Sequence, residues 1–293
     1  TNSKSIATCF NKFFVSIGAK LSEKFSGRNT QHVPKEKRTT DKFVLQPIQQ
    51  SFVQKELSKL SIAKATGMDR ISSRLLKVAS PYITPSLTYL FNFSLHSGNI
   101  PTEWKQAKVV PLYKGGDRDN TTNYRPISIL PVVSKILERA VHDQLYQFLQ
   151  QRQLITRWQS GFRQGFSTAT ALIHVTDTIL NQMDKGNYTG IIFLDLKKAF
   201  DTVDHGILLE KLGLYGIEGS EHMWFKSYLL DRKQAVYVNG CFSDILPICC
   251  GVPQGSILGP LLFTLYMNDL PDFPNRCTTV LYVDDTAFFV QQS

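Results

Sequence analysis

Two adjacent carboxylates, Asp284 and Asp285, stand inside LYVDDTAFFV at residues 281–290, between two runs that read as buried strand. A carboxylate withdrawn from water is costly unless it is paired or binds a cation, and two side by side also repel. The flanking alternation predicts a β-hairpin with the pair at its bend. Two readings of that bend are open. Asp is common in turns, where it caps the backbone; alternatively, the pair is a set of metal ligands. A second carboxylate source lies upstream, where the β-branched stretch TGIIFLDL predicts a strand ending at Asp195. Paired strands run about 4.8 Å apart. Carboxylates at adjacent strand tips can therefore share two divalent ions, which sit roughly 3.5 to 4 Å apart in phosphoryl-transfer sites. Hard oxygen donors suit Mg²⁺.

The chain has 293 residues, 42% of them hydrophobic, enough for a full core in one large or two modest domains. No run approaches the roughly 20 apolar residues of a membrane span, and TNSKSIATCF lacks the order of a signal peptide. The expectation is an intracellular protein, in the cytoplasm or nucleus, with no membrane partner. Cys9, Cys241, Cys249, Cys250 and Cys277 are odd in number and show no zinc-like spacing, so they are expected as reduced thiols. Charge is unevenly placed. Residues 1–189 hold 26 Lys and Arg against 12 Asp and Glu, and residues 190–293 hold 7 against 12. A basic surface suits a polyanion such as nucleic acid. A merely solvated basic face has the same composition, so charge alone does not choose.

Periodicity predicts a helix over residues 1–26, a polar, basic linker over 26–42, and a helix over 51–60. A loop leading into a helix is expected over 65–79, then an apolar helical segment over 81–98 closed by Gly98. AKVVPLYK and YRPISIL predict a hairpin with GGDRDNTTN as its long tip. Helices follow at 133–150 and 168–183, then the strand before Asp195, a helical region to 230, strands at QAVYVNG and ILPICC, and a helix over 254–268. Regular βαβ alternation is missing, which favours an α+β fold.

FLDLKKAFDTVDH, GVPQGSILGPLLFTLYMNDL and LYVDD, in that order, resemble the successive catalytic motifs of reverse transcriptases. VVPLYKGGDRDNTTNYRPISIL and QSGFRQGFSTATALI resemble the finger motifs of the non-LTR (LINE-like) branch. The resemblance spans about residues 50–293. It implies the fingers and palm of a right-hand polymerase, with an antiparallel palm sheet and packed helices. The implied division is an N-terminal helix and basic linker (1–50), a helical extension of the fingers (51–103), fingers (104–189) and palm (190–293). The thumb that follows the YVDD hairpin in this family is absent from these residues. The expectation is therefore a fragment of a longer polyprotein, with a downstream thumb and, as in many such elements, an upstream endonuclease as partners, and with its activity alone left open.

The same resemblance implies roles residue by residue. Asp195, Asp284 and Asp285 are the catalytic triad and, with the backbone carbonyl of Leu196, hold two Mg²⁺ ions, Mn²⁺ being the alternative. Phe200, five residues after Asp195, is the aromatic gate beneath the nucleotide sugar. Gln254, at the start of a helix, hydrogen-bonds the incoming nucleotide or template, with Gly255 permitting close backbone approach to a ligand. Lys114 and Arg125 flank the hairpin tip and hold the triphosphate, Arg as a planar fork and Lys as a point charge. Arg163 lies near the template strand. Asp201 and Asp204 are expected to be structural, as helix caps. The implied reaction extends a DNA primer with dNTPs on an RNA template. Two rivals are an RNA-dependent RNA polymerase, which Phe200 disfavours, and a catalytically silent, RNA-binding remnant of a retrotransposon.

Overall fold

The computed structural model describes residues 2–23, 36–273 and 277–292. In chain order, the first half runs α1 (Ser3–Glu23), α2 (Gln50–Ser58), α3 (Ser73–Ser97), β1 (Gln106–Tyr113), β2 (Tyr124–Ile129), α4 (Val132–Gln151) and α5 (Thr168–Asp184). The second runs β3 (Tyr188–Leu194), α6 (His205–Leu214), α7 (Gly219–Leu229), β4 (Arg232–Val238), β5 (Cys241–Phe242), β6 (Leu246–Ile248), α8 (Leu258–Met267), β7 (Cys277–Tyr282) and β8 (Asp285–Gln292). The content is mixed α and β, without the regular alternation of a doubly wound fold.

The strands form two sheets. β3, β8 and β7 make an antiparallel sheet with β8 in the centre. In the other, β1 lies between β2, antiparallel to it, and β4, parallel to it, while β4 also pairs with β5 and β6. This second sheet therefore joins strands from before and after residue 190. The β1–β2 register, Lys108↔Ile129 through Tyr113↔Tyr124, leaves residues 114–123 as the tip.

Burial follows the sequence periods. The α4 side chains Ile136, Leu137, Val141 and Leu145 enter the main core, where they meet residues of α2, α3, α6, α7 and α8. α8 is apolar nearly all round and is buried accordingly, with Leu258, Leu261, Leu262, Phe263 and Leu265 all inside. Each such side chain stabilises the fold by about 1.5–3 kcal/mol. α1 covers the mixed sheet, its Ala7, Phe10, Phe14 and Ile17 packing with Ala107, Val109, Leu130 and Val236. Buried Asn11 locks the helix there, donating to Ser243 Oγ at 3.0 Å and accepting from Gln234 Nε2 at 2.9 Å.

Two expectations need correction. The pieces expected over 65–79 and 81–98 contain one continuous helix, α3, which carries Pro81 and Pro85 in its interior and ends in left-handed Gly98. Each proline removes a helical hydrogen bond; burial of Leu76, Phe91 and Leu95 along the same helix outweighs that loss. The helix expected over 254–268 begins at Leu258, because Gln254 and Gly255 form a turn ahead of it. Most of the linker expected over 26–42 lies outside the described residues. Of its described end, Arg38 pairs with Asp272, and the N–H of adjoining Phe43 donates to the Gly216 carbonyl. All five cysteines are free thiols. Among the described residues no helix is long and apolar enough to cross a membrane.

Candidate active site

The antiparallel sheet brings the three aspartates to one end. Leu194, the last residue of β3, pairs with Thr286, and Tyr282 pairs with Asp285 across the β7–β8 hairpin. Asp195 therefore leaves its strand beside the hairpin bend, whose two loop residues are Val283 and Asp284. Asp195 and Asp285 are exposed and Asp284 is half-buried. Burial raises the Asp284 carboxyl above its ordinary value; the charges of Asp285 and Asp195 raise it further, and Arg125 opposes them. The three carboxylates thus share one field, and a cation placed among them would relieve it. Among the described residues no three His, Cys, Asp or Glu side chains are gathered closely enough to form a ready metal cage. The donor set, three carboxylates and no nitrogen or sulfur, nevertheless has the chemistry that hard divalent cations take.

The bend itself is strained. Val283 has φ of 62°, a region that β-branched residues avoid, at a cost of about 1–3 kcal/mol. The neighbouring loop holds it. Gln159 Oε1 accepts from the Val283 N–H at 2.9 Å, and Gln159 Nε2 donates to the Val283 carbonyl at 3.1 Å. Trp158 and Ser160 bond the backbone of Leu281 on either side of Gln159, at 2.9 Å each. Gly161 packs so tightly that a Cβ there would meet the Val283 nitrogen at 2.5 Å.

A second layer joins Phe200 to Gln254. The Phe200 ring stacks on Phe263 with centroids 4.4 Å apart and meets Phe162 edge-on at 6.1 Å. Its carbonyl accepts from the Val252 N–H at 2.8 Å, fastening the segment before Gln254 onto the turn after β3. Leu196, next to Asp195, packs against the main core. Gln254 lies before α8, not within it. Its Nε2 donates to Asp201 Oδ1 at 2.9 Å, and its carbonyl accepts from the Ser128 N–H of β2 at 2.8 Å. Gly255 serves this contact, since a Cβ there would meet the Ser128 oxygen at 2.3 Å; the close approach is to the protein's own strand. Asp204 caps α6 as expected, accepting from the Ile207 N–H at 2.9 Å. Asp201 caps no helix. It is largely buried in the turn with one oxygen unpartnered, and burial pushes its carboxyl up to about 6.

Lys114 and Arg125 are exposed at the base of the β1–β2 tip, and the Lys114 N–H closes the tip on the Asn123 carbonyl at 2.8 Å. Lys198, in a left-handed conformation, donates to the Tyr124 carbonyl at 2.6 Å. Burial lowers its pKa, Asp201 opposes that, and the charges of Lys114, Arg125 and Lys197 lower it further, so these four cations share a field with Asp201; Arg125 also reaches the field of Asp284. Arg163 is turned inward. Its guanidinium donates to the Thr156 and Gln159 carbonyls at 3.0 Å each and lies 4.2 Å from the Phe166 ring centre. The sequence reading did not single out Gln159, Phe162 or Lys198. The first two precede Arg163 in QSGFRQGF and the third lies in DLKKAF, so the stretches were visible although the contacts were not.

The family model described as reverse transcriptase (RNA-dependent DNA polymerase) matches residues 113–293. The chain is 32% identical over 257 residues to the probable RNA-directed DNA polymerase from transposon BS of Drosophila melanogaster, covering 83% of this chain and 28% of the relative. It is 33% identical over 240 residues to the RNA-directed DNA polymerase from mobile element jockey of the same fly, covering 79% and 26%. A third relative, the putative 115 kDa protein in type-1 retrotransposable element R1DM, is 30% identical over 238 residues, covering 80% and 22%. The chain thus spans about a quarter of the length of these relatives. With the model matching more than half of its residues, the chain belongs to the reverse transcriptase family, in the branch found in non-LTR retrotransposons.

Proposed function

We propose that this chain carries the polymerase centre of an RNA-directed DNA polymerase that extends a DNA primer with dNTPs on an RNA template. The observation that carries the reading is the convergence of Asp195, Asp284 and Asp285 at one end of the β3–β8–β7 sheet, with Arg125 in their field. In this reading residues 190–293 supply the palm, residues 104–189 the fingers, and residues 51–103 their helical extension, with residues 1–50 as N-terminal helix and linker. Asp195, Asp284 and Asp285, together with the Leu196 carbonyl, hold divalent cations, Mg²⁺ first and Mn²⁺ second. Such ions, when bound, supply activation of the primer 3′-hydroxyl and neutralise charge on the leaving pyrophosphate.

The remaining steps belong to side chains of the chain itself. Phe200, wedged between Phe162 and Phe263, closes the floor under the sugar and excludes a 2′-hydroxyl. Gln254, its Nε2 engaged by Asp201, offers its amide oxygen to the nucleotide or template. Lys114 and Arg125 reach the triphosphate from the hairpin. Arg163 serves the template path by building the turn that presents the exposed rings of Phe162 and Phe166, because base stacking on such rings is sequence-tolerant. The polymerase's further segments, a thumb and an endonuclease, would be the partners of this core.

The deciding experiment replaces Asp284 or Asp195 by Asn in the full-length protein. Primer extension should fall by at least about a thousandfold, the scale of losing preorganised charge at a reacting centre, while RNA affinity changes little. Equal extension by variant and parent would remove the triad assignment. Loss of RNA affinity in step with extension would favour a silent RNA-binding surface instead.

A further inference from the structure

We propose that Gln159 is a positioning residue of the polymerase centre, its amide clamping the strained Val283 backbone and thereby aiming the Asp284 carboxylate. The inference rests on the polymerase reading, but its carrier is a separate observation, the geometry of one buried amide. Gln159 is 1% exposed, and its side chain bonds both polar groups of a single backbone residue 124 positions away. Its Oε1 accepts from both the Val283 and Gly161 N–H groups, which fixes the orientation of the amide. Nε2 is then left facing the Val283 carbonyl.

A valine at φ of 62° persists only where its surroundings over-determine it. Here the surroundings are the Gln159 amide on one side and the close face of Gly161 on the other. Releasing either lets Val283 rotate toward ordinary φ values, and the first group carried away by that rotation is Asp284. Gln159 is itself anchored, because Arg163 donates to its carbonyl at 3.0 Å and its N–H donates to Thr156. The hydrogen bonds of the Gln159 side chain run to the backbone of Val283 and Gly161, so it is a positioning residue and not a catalytic one. Its effect runs through the bend.

The test uses the full-length protein and reads three quantities: kcat and KM for dNTP in primer extension, RNA affinity, and Mn²⁺ affinity by electron paramagnetic resonance without nucleic acid. Gln159→Met keeps the volume and loses both bonds. It should lower kcat about a hundredfold, the scale of an ångström-sized misplacement. It should weaken Mn²⁺ binding about tenfold, while dNTP KM and RNA affinity stay within about twofold. Gln159→Asn, whose amide is too short to reach Val283, should do the same and decides the matter if the Met variant does not fold. In a Val283→Gly background the bend is unstrained, so the kcat loss on changing Gln159 should shrink below about tenfold. Parental kcat and Mn²⁺ affinity in a folded Gln159 variant would overturn the clamp, as would equal losses with and without Val283→Gly. Asp284→Asn in parallel separates the two levels. If it leaves extension and Mn²⁺ binding at parental values, the polymerase reading fails; if it abolishes both while the Gln159 variants abolish neither, only the clamp fails.

Discussion

Asp201 is a residue whose placement has a direct thermodynamic consequence. Its carboxyl is pushed up to about 6 by burial, against the pull of Lys198 and of the Gln254 hydrogen bond. Between an ordinary value near 3.8 and this raised one, the unfolded chain has lost the proton while the folded chain still holds it. Stability therefore falls as pH rises through that window, and the deficit persists above it. At 1.36 kcal/mol per pKa unit the full effect is about 3 kcal/mol. Asp201→Asn keeps an acceptor for Gln254 and removes the titration. The variant should be more stable than the parent at pH 8, with the difference closing near pH 4, as read from denaturant midpoints. A gap of the same size at both pH values would show that Asp201 is not the titrating group. Sequence reasoning placed Asp201 near the site but made it a helix cap. Its partner is 53 residues away, so only the fold reveals that it orients Gln254.

At the scale of elements, the β1–β2 hairpin stands over the turn that follows β3. Lys198 of that turn donates to the Tyr124 carbonyl at the first residue of β2, and Ser128 of the same strand bonds the Gln254 carbonyl. The hairpin is thus tied at both ends of β2 to the segments that carry Phe200 and Gln254. In the proposed reading its exposed cations, Lys114 and Arg125, hold the triphosphate. Lys114→Ala or Arg125→Ala should each raise the dNTP KM about ten- to a hundredfold, as expected for a charge-assisted hydrogen bond of about 1.5–3 kcal/mol, and should weaken primer-template binding less. The reverse pattern in steady-state kinetics would assign them to the template. Elements of this kind were legible because their signals are local, with alternation in both hairpins and a helical period in α4 and α5. The fusion of α3 across Pro81 and Pro85 was hidden, since its compensation lies in tertiary burial. The Gln159 clamp was hidden for the same reason, because nothing in QSGFRQGF identifies Val283 as its partner.

At the scale of the whole molecule, the uneven charge acquires a spatial meaning. Residues 1–189 are strongly basic and residues 190–293 are acidic, yet β1 and β4 join both parts in one sheet. The chain is therefore not two oppositely charged bodies, and its cations and carboxylates meet at one site, where Arg125 and Lys114 lie in the fields of Asp284 and Asp201. Under the proposed function such an arrangement divides the work on a nucleic acid. In the proposed reading the aspartates repel phosphate unless metal ions intervene, and binding strength comes from the surrounding cations, through backbone contacts that read no sequence. Affinity for single-stranded RNA should then fall with log salt at a slope of about −0.7 per phosphate contacted. About five contacts would give roughly a hundredfold loss between 50 and 200 mM salt, nearly independent of RNA sequence. Asp284→Asn, by removing one repelling charge, should leave that slope unchanged and strengthen metal-free binding slightly. A binding isotherm insensitive to salt, measured by fluorescence anisotropy over that range, would contradict the assignment of the basic residues to the phosphate backbone.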